Sequence, residues 1–504
     1  MISAAIDVGP AALAAVIFTL LAVWCFTNRR IDHTLAALGL YLGLLDGYIK
    51  LRTGSPAATL GRDVLVAAIA GGALLRALST GKRLPLPPLG GLVLAFSAIV
   101  IVELFNPEGP GLVAGMGGIR QHLEFVPLFF LGYAVMRRES QVQTFLVILA
   151  LCAAAGGLIS YVQSTLTPEQ LANWGPGYSE RILGTGPFEG APRVAYDDDG
   201  GTSVRPFGLG SDLGAGAVAA ALALPALIAL IALAPPSRRA VLAPLAIGIG
   251  LAVATSGTRA ALVMVFISTM AFAILSASSR NAMRVVLGLL FASMIVYGAF
   301  QYLGPDNSTA RRAKSITPDK ALTTFTQERG GSVQKFGEYA EDYPLGLGVG
   351  SVGPAASRLS GRPIGTQALN TETQWNFLVL EVGIAGFLLF VALNLALMVL
   401  ALTRIRRVAD ARMRLRLAAL AAPLFGLLAA GFAGPTSATV PPAPYMWFVA
   451  GVLSYWLVTA ARGQAGSGHP PRGERSDRAR TALPAAAAGR SGARSSLPGP
   501  RMPA

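Results

Sequence analysis

The sequence has little charge and few of the residues that build disulfide or metal frameworks. Only 13% of its 504 residues are charged, about half the share of a typical soluble protein, and the 53% that are hydrophobic occur in long blocks. Two cysteines and three histidines form no Cys-x-x-Cys and no His-Glu-x-x-His motif, and no Gly-Lys-Ser/Thr phosphate loop is present. An ordinary soluble enzyme, a disordered protein and a fibrous repeat are therefore excluded.

The apolar blocks are long enough to cross a membrane, which takes about 20 residues per helix. They predict an all-α, polytopic transmembrane helical bundle of 12–13 spans. The blocks lie near 8–27, 34–49, 62–79, 89–105, 121–136, 141–162, 210–234, 239–257, 259–278, 284–303, 374–403, 416–435 and 444–462. The count stays open because the second block is short and carries Asp46 and Lys50.

Short basic connections predict the orientation of the bundle, because cytoplasmic loops carry an excess of Lys and Arg. They fall on alternate connections, at Arg29–Arg30, Lys82–Arg83, Arg137–Arg138, Arg238–Arg239, Arg280 with Arg284, and Arg404–Arg416. Loops 163–209 and 304–373 are then external. Residues 1–462 form a multi-pass domain in the inner or plasma membrane, and the Arg-, Pro- and Gly-rich residues 463–504 form a disordered cytoplasmic tail. The net charge of +15 follows this topology and does not indicate nucleic acid.

The two long loops are the expected place for function, since loops of this length inside compact proteins are usually functional. Their aromatic residues suggest that they fold against the membrane surface. Residues 317–342 are expected to form one or two amphipathic helices lying on that surface. In the first loop, Asp197–Asp199 offers oxygen ligands for a hard cation, although such a run is more often a solvated loop.

Two arginines stand where external connections enter apolar spans. Arg259 ends the turn Ser256–Arg259, and a cation there is costly unless it faces a cavity or an anion such as phosphate. The alternative is an arginine that reaches the membrane interface. Arg205 lies in the Pro- and Gly-containing segment 204–212, which could equally be a helix entry capped by Ser211 or Asp212.

The second long loop offers further candidates. Arg329 is followed by the glycine-rich segment 343–353, which contains a GxGxxG pattern. The pattern does not indicate a dinucleotide site, because no βαβ unit surrounds it. Its glycines instead predict either a close approach of the backbone to a bulky ligand or a compact turn. Glu372 precedes the next span and is a general-base candidate or a solvated acid at a helix start. His122, predicted at the outer membrane surface, is a further substrate-binding candidate.

The stretch from about Gly118 to Leu402 resembles the O-antigen ligase/O-antigen polymerase family of membrane glycosyltransferases. The shared features, in the family order, are a basic residue before a Pro-Leu-Phe-Phe-Leu-Gly span (Arg120, Pro127–Gly132), Arg-x-x-Gly (Arg205–Gly208), Ser-x-x-Arg (Ser256–Arg259), Arg with Pro-Leu-Gly-x-Gly-x-Gly (Arg329, Pro344–Gly350) and Asn-x-Leu-x-x-Glu-x-Gly-x-x-Gly (Asn376–Gly386). The resemblance implies transfer of a glycan from a polyprenyl-diphosphate carrier, such as undecaprenyl diphosphate, to an acceptor hydroxyl on the external face.

The resemblance also implies roles for residues. Arg259 and Arg329 would bind the diphosphate leaving group, Arg205, Arg120 and His122 would bind substrate, and no cofactor or metal is expected. Ligases that modify lipid A core carry a histidine at the end of the large loop, whereas 304–373 contains none and the position falls at or near Glu372. This favours the polysaccharide polymerase-like branch.

Glu372 would then act as the base in a direct, inverting displacement. Glu338, Glu341 and Asp342 are rival carboxylates that spacing does not exclude. Membrane lipids and polysaccharide assembly or export proteins are the expected partners. A transporter or flippase for a lipid-linked glycan is the principal alternative, although no internal repeat is evident. A non-catalytic scaffold in a polysaccharide-export complex is a third reading.

Overall fold

The computed structural model of the chain describes most of the predicted membrane domain. The described residues are 16–55, 57–81, 86–186, 192–196, 202–256, 258–277, 279–288, 330–353, 356, 369 and 372–460. The predicted tail 463–504, Asp197–Asp199 and Arg329 lie outside them.

The described residues are mostly helical, with one short antiparallel strand pair in which Val194 is opposite Val204. The helices are α1 Val16–Thr27, α2 Ile31–Thr53, α3 Ala57–Ser79, α4 Gly90–Phe105, α5 Leu112–Leu123, α6 Val126–Val135, α7 Glu139–Ser164, α8 Pro168–Ala172, α9 Pro176–Leu183, α10 Ala215–Leu233, α11 Pro236–Thr255, α12 Arg259–Leu275, α13 Gly330–Asp342, α14 Gln374–Arg404, α15 Ala411–Ala430 and α16 Pro442–Ala460. The strands are β1 Val194–Tyr196 and β2 Thr202–Val204, and residues 280–288 are also helical.

Within the described part of the chain, seven helices are long and apolar enough to cross a membrane. They are α2, α7, α10, α11, α14, α15 and α16, and α1, α4 and α12 are shorter apolar helices. The all-α polytopic bundle is therefore confirmed, and the full count of 12–13 spans stays a prediction.

The block predicted as one span over 121–136 is not a continuous helix. It contains the end of α5 and all of α6, with a break at Glu124 and Phe125. Pro127 stands in the first turn of α6, where its missing N–H is tolerated, whereas in a continuous helix its ring would clash with the carbonyl of Leu123 four residues earlier. Proline thus accounts for the break.

Basic connections meet at one end of the bundle, which we call the basic end. Arg29 and Arg30 line a shallow depression together with Arg137 and Arg138. Arg416 pairs with Glu139, and Arg406 donates to the carbonyl of Ile274 at the end of α12. The predicted topology requires the basic connections to lie on one side of the membrane, and these residues do lie at one end of the bundle. The side of the membrane that this end faces stays a prediction.

Glycines allow several helices to cross closely. A methyl group added at Gly451 of α16 would collide with the backbone carbonyl of Phe129, and one at Gly132 of α6 would collide with that of Phe448. Gly157 of α7 and Gly248 of α11 make a similar crossing. Small residues at such positions let backbones approach and gain dispersion energy, which is how membrane helices associate without a hydrophobic driving force.

The loop between α7 and α10 folds into a small lobe with its own apolar core. Tyr178 of α9 packs edge-on against Phe207, with ring centroids 5.6 Å apart, and both are fully buried. Leu51, in the last turns of α2, belongs to the same core. Burial raises the pKa of the Tyr178 hydroxyl above its usual value. The aromatic residues of this loop therefore fold it onto the end of α2.

Helix α13 packs one face on the bundle, and its location at the membrane surface stays a prediction. Its Tyr339 is only 6% exposed, and the ring of Phe336 packs 5.0 Å from that of Phe387 on α14. The Asn376 side chain of α14 donates to the carbonyl of Ser332 at 2.7 Å. The apolar face of α13 thus packs on a helix of the bundle, and residues 317–329 lie outside the described residues.

Candidate active site

The Arg205 segment is held by a glutamine that projects from α7. The side-chain oxygen of Gln163 accepts the backbone N–H groups of Phe207 and Gly208, each at 2.8 Å, and its amide nitrogen donates to the carbonyl of Gly208 at 3.1 Å. Gln163 is fully buried. Three hydrogen bonds from one buried side chain fix the Arg-x-x-Gly turn, because leaving such groups unpaired costs about 1–3 kcal/mol each.

The end of the same segment is fixed by two charged residues. Arg181 of α9, buried to 5% exposure, forms an ion pair with Asp212 at 2.6 Å. The ammonium of Lys50 on α2 lies 3.5 Å from the hydroxyl of Ser211. The alternative in which Ser211 or Asp212 caps the helix is wrong, because the N-cap of α10 is Gly214 and no side chain caps it.

The structure places the turn before Arg259 against the start of α10. Helix α11 ends at Thr255 and α12 begins at Arg259, so only residues 256–258 connect them, as the predicted tight turn requires. Gly214, the N-cap of α10, packs so closely on Thr258 that an added Cβ would lie 2.5 Å from the threonine hydroxyl. The residue before Arg259 therefore contacts the N-cap of the helix that follows the Arg205 segment.

The glycine-rich segment makes the compact turn that its sequence predicts. Gly346, Gly348, Gly350 and Gly353 all have φ between 73° and 84°, a region that strongly favours glycine. Gly350 lies directly on the backbone of Ala114 in α5. We call residues 343–353 the glycine loop. Its glycines let the loop pack closely on α5 and α14. This packing agrees with the prediction that the segment is not a dinucleotide-binding site.

His122 lies beneath the glycine loop, in the protein interior. Its Nε2 is 2.7 Å from a carboxylate oxygen of Glu381 on α14, and its ring stacks on Phe377 with centroids 5.1 Å apart. The other oxygen of Glu381 accepts the N–H of Val352 at 3.3 Å. The sequence placed His122 at the membrane surface, whereas the structure leaves it 3% exposed. Its substrate-binding role stays a prediction that this geometry does not favour.

Arg120, two residues earlier on α5, belongs to a network of charged side chains. It pairs with Asp63 at 2.6 Å, and the neighbouring Arg62 pairs with Glu124 and, at 3.3 Å, with Asp46 of α2. Arg62 also lies over the ring of Phe125, 5.2 Å from its centroid. Paired charges are the form in which ionisable groups persist inside a membrane protein. The network ties α2 and α3 to the break between α5 and α6.

Glu372 lies exposed at the start of α14, one residue before the N-cap Thr373. The Thr373 hydroxyl accepts the N–H of Asn376 at 3.1 Å. Gln374 is buried and donates to the hydroxyl of Ser437 at 2.6 Å. The start of α14 is thus anchored to the turn between α15 and α16, residues 431–441.

The rival carboxylates Glu338, Glu341 and Asp342 are exposed on α13. No group of three or more potential metal ligands occurs among the residues that the structure describes, and the Asp197–Asp199 run is not among them.

An apolar cavity of about 330 Å³ opens beside the Arg205 segment. Its walls come from α2, α6, α7, α10 and α16, and at one end it reaches Leu209–Ser211 and Val440–Pro441. We call this end of the bundle, which carries residues 163–214, the turn 256–259, the glycine loop and the turn 431–441, the loop end. The candidate site is therefore a group of turns above a cavity within the bundle.

Comparison with known families identifies part of this region. Residues 243–391 match the family model for O-antigen ligase. The chain carries an O-antigen ligase domain. The matched segment contains Arg259, the glycine loop, Glu372 and Glu381, whereas Arg120, His122 and Arg205 precede it. No curated protein matches the chain.

The O-antigen ligase domain and the apolar helices together make this a multi-pass membrane protein with an enzyme domain of the O-antigen ligase/polymerase type. Proteins of this family act on lipid-linked glycans in membranes. Sequence reasoning missed the residues that support the site, above all Gln163, Arg181 and Lys50. Lys50 had a usable signal, because a cation that interrupts an apolar block marks a functional position by default.

Proposed function

We propose that the protein transfers a glycan from a polyprenyl-diphosphate carrier to an acceptor hydroxyl at the loop end, on the external face, as a polysaccharide polymerase or ligase. The observation that carries this proposal is the contact of Thr258, the residue before Arg259, with Gly214 at the start of α10, next to an apolar cavity that reaches the Arg205 segment at Leu209–Ser211. A lipid diphosphate has the matching chemistry, with an apolar chain and a doubly charged head.

Arg259 and Arg329 would bind the diphosphate as it leaves, with Arg205 as a further contact. A guanidinium presents two parallel N–H donors to a phosphate and keeps its charge at any physiological pH. Charge that develops on the leaving group would then be offset by fixed cations, without a metal. Arg120 stays a proposed substrate contact, and its ion pair with Asp63 fixes the guanidinium beside α3.

Glu372 would take the proton of the acceptor hydroxyl. Its exposed position at the start of α14, close to the turn 431–441, leaves room for an incoming sugar. The hydroxyl oxygen would attack the anomeric carbon while the bond to the diphosphate breaks, so the anomeric configuration would invert. Family and geometry leave the sugar and the acceptor open.

The test uses a strain that lacks this protein, complemented with wild type or with Arg259→Ala at equal membrane abundance. Arg239→Ala is the matched control, because Arg239 also lies in the first turns of a helix but at an exposed position at the other end of α11. Lipid-linked glycans and surface polysaccharide are measured. We expect Arg259→Ala to reduce transfer about 10²–10³-fold, the usual loss when a donor to a developing anion is removed.

The membrane face on which the lipid-linked glycan accumulates separates the alternatives. Accumulation on the external face supports a transferase, and single-unit instead of long surface glycan identifies a polymerase. Accumulation on the cytoplasmic face identifies a flippase and overturns the proposal. Wild-type glycan in the Arg259→Ala strain also overturns it. Glu372→Gln tests the base, and retained transfer in a chelator tests metal independence.

A further inference from the structure

A second pocket, which shares no lining residue with the apolar cavity, lies at the loop end. It has a volume of about 350 Å³ and is formed where the end of α7, the start of α8, strand β2 and the end of α11 meet. Its lining includes Val204, which directly precedes Arg205, and Thr255, which directly precedes the turn 256–259. The segments that carry Arg205 and Arg259 therefore both begin at the wall of this pocket.

Hydroxyl groups dominate the lining of this pocket. Five of its ten lining residues carry one, namely Ser164, Thr167, Thr202, Ser203 and Thr255. The Ser164 hydroxyl donates to the carbonyl of Tyr161 at 2.7 Å. The Thr255 hydroxyl likewise donates to the carbonyl of Leu251 at 2.8 Å. A hydroxyl that donates its proton to the backbone still has lone pairs that accept hydrogen bonds. The pocket thus offers ordered acceptors, which suit a ligand rich in O–H donors.

One carboxylate gives the pocket a negative charge. Glu169 is exposed and lines the wall formed by the start of α8. Hydrogen bonds from its own backbone N–H and from the Thr167 hydroxyl lower the pKa of the Glu169 carboxyl, so the group is charged at neutral pH. None of the described residues that line the pocket is Lys, Arg or His. An anion such as phosphate is therefore repelled here, whereas an uncharged sugar can donate its hydroxyl protons to the carboxylate.

We propose that this pocket binds an uncharged sugar unit of the donor glycan, next to the diphosphate, and disfavours an acidic sugar at that position. This inference rests on the proposed function, because it places the glycan that is to be transferred beside the segments of Arg205 and Arg259. A volume of about 350 Å³ is at the lower end of the range for small-molecule sites and suits one or two sugar rings. The pocket would select the glycan by charge and hydroxyl pattern, while the arginines bind the anionic leaving group.

Binding is tested by saturation-transfer NMR on the purified full-length protein, in a detergent without a sugar headgroup. The probes are glucose, galactose and mannose, each paired with its own uronic acid. We expect wild type to bind at least one of the neutral sugars, and to bind the matching uronic acid about fivefold more weakly. Repulsion between two charges about 4 Å apart in water corresponds to about that factor. Glu169→Gln should remove the difference between the two affinities.

A blocking substitution locates the binding. Ala254→Trp fills the pocket from its α11 wall, and Ala240→Trp, exposed near the other end of α11, is the matched control. We expect the first variant to bind the neutral sugar roughly tenfold more weakly or worse, and the second to bind it as wild type does. If Ala254→Trp does not fold, Thr202→Val removes one lining hydroxyl and should weaken binding about 2–10-fold. Its control is Thr165→Val, at an exposed threonine outside the pocket.

Two outcomes would overturn the inference. One is the lack of any sugar signal that the pocket variants reduce, and the other is equal affinity of wild type for a neutral sugar and its uronic acid. Glycan transfer is scored separately, in the Arg259→Ala strain. Selective sugar binding together with unchanged glycan in that strain would refute the proposed function and leave the pocket a sugar site. Lost transfer in that strain without sugar binding would refute the pocket assignment alone.

Discussion

The buried pair of His122 and Glu381 gives the sharpest test of how the loop end is held together. Their side chains are 1% and 0% exposed, and the N–O distance between them is 2.7 Å. Glu381 also accepts the N–H of Val352, so one carboxylate joins α5, α14 and the glycine loop. Removing the histidine leaves this carboxylate buried without its side-chain partner.

The contacts of the two residues predict how much each substitution lowers the free energy of unfolding. His122→Ala should lower the free energy of unfolding by about 3–5 kcal/mol, the usual result of removing a buried ring together with the hydrogen bond that it makes, with the lost stacking on Phe377 included in that figure. Glu381→Gln keeps the shape and a polar partner, so we expect about 1–1.5 kcal/mol. The double variant should cost less than the two single losses combined, by about 0.5–3 kcal/mol.

The assay is reversible unfolding in mixed detergent micelles, followed by tryptophan fluorescence, for wild type, both single variants and the double variant. His33→Ala is a control histidine substitution, because His33 lies at the basic end. Additivity of the two single losses within about 0.3–0.5 kcal/mol would refute a direct coupling between His122 and Glu381. Loss of glycan transfer without any change in unfolding would show that the pair acts in chemistry and not in positioning.

Three further substitutions test the other supports of the site. Gly350→Ala should cost about 1–2 kcal/mol from backbone strain alone, whereas Gly91→Ala, at an open helical position, should be neutral or slightly stabilising in the same unfolding assay. Gln163→Ala should cost about 1–3 kcal/mol and raise protease cleavage within the Arg205 turn, and unchanged cleavage would count against its role. Thr373→Ala should cost about 1 kcal/mol through loss of the α14 cap, with restoration by Ser as the check.

Much of the fold followed from the sequence because a bilayer constrains the chain so strongly. Every backbone polar group inside hydrocarbon needs an internal partner, so a long apolar block has to be a helix. The tight turn before Arg259 was correctly located for the same reason, since the two predicted blocks nearly meet there and the helices of the structure leave only residues 256–258 between them. The glycine loop was also predicted correctly, because closely spaced glycines indicate a backbone that other residues cannot adopt.

The residues that hold the site in place could not be predicted from the sequence in the same way. Gln163 and Arg181 bind residues of the Arg205 segment that lie 31 to 45 positions further along the chain, and nothing in their local sequence distinguishes them from solvated loop residues. His122 was misplaced because its position in the sequence, near the predicted end of a span, gives no information on Glu381, which lies 259 residues later. Local patterns report on helices and turns, whereas partners across the fold depend on packing.

The supports at the loop end also explain why the arginine turns can be weak sequence signals and still form one site. Each turn is short and has little hydrophobic surface of its own, so its position depends on neighbours. Gln163 and Lys50 fix the Arg205 segment from α7 and α2, and Gly214 then sets its contact with Thr258. Because α2 and α7 also wall the apolar cavity, the same two helices position both the arginine segment and the space beneath it.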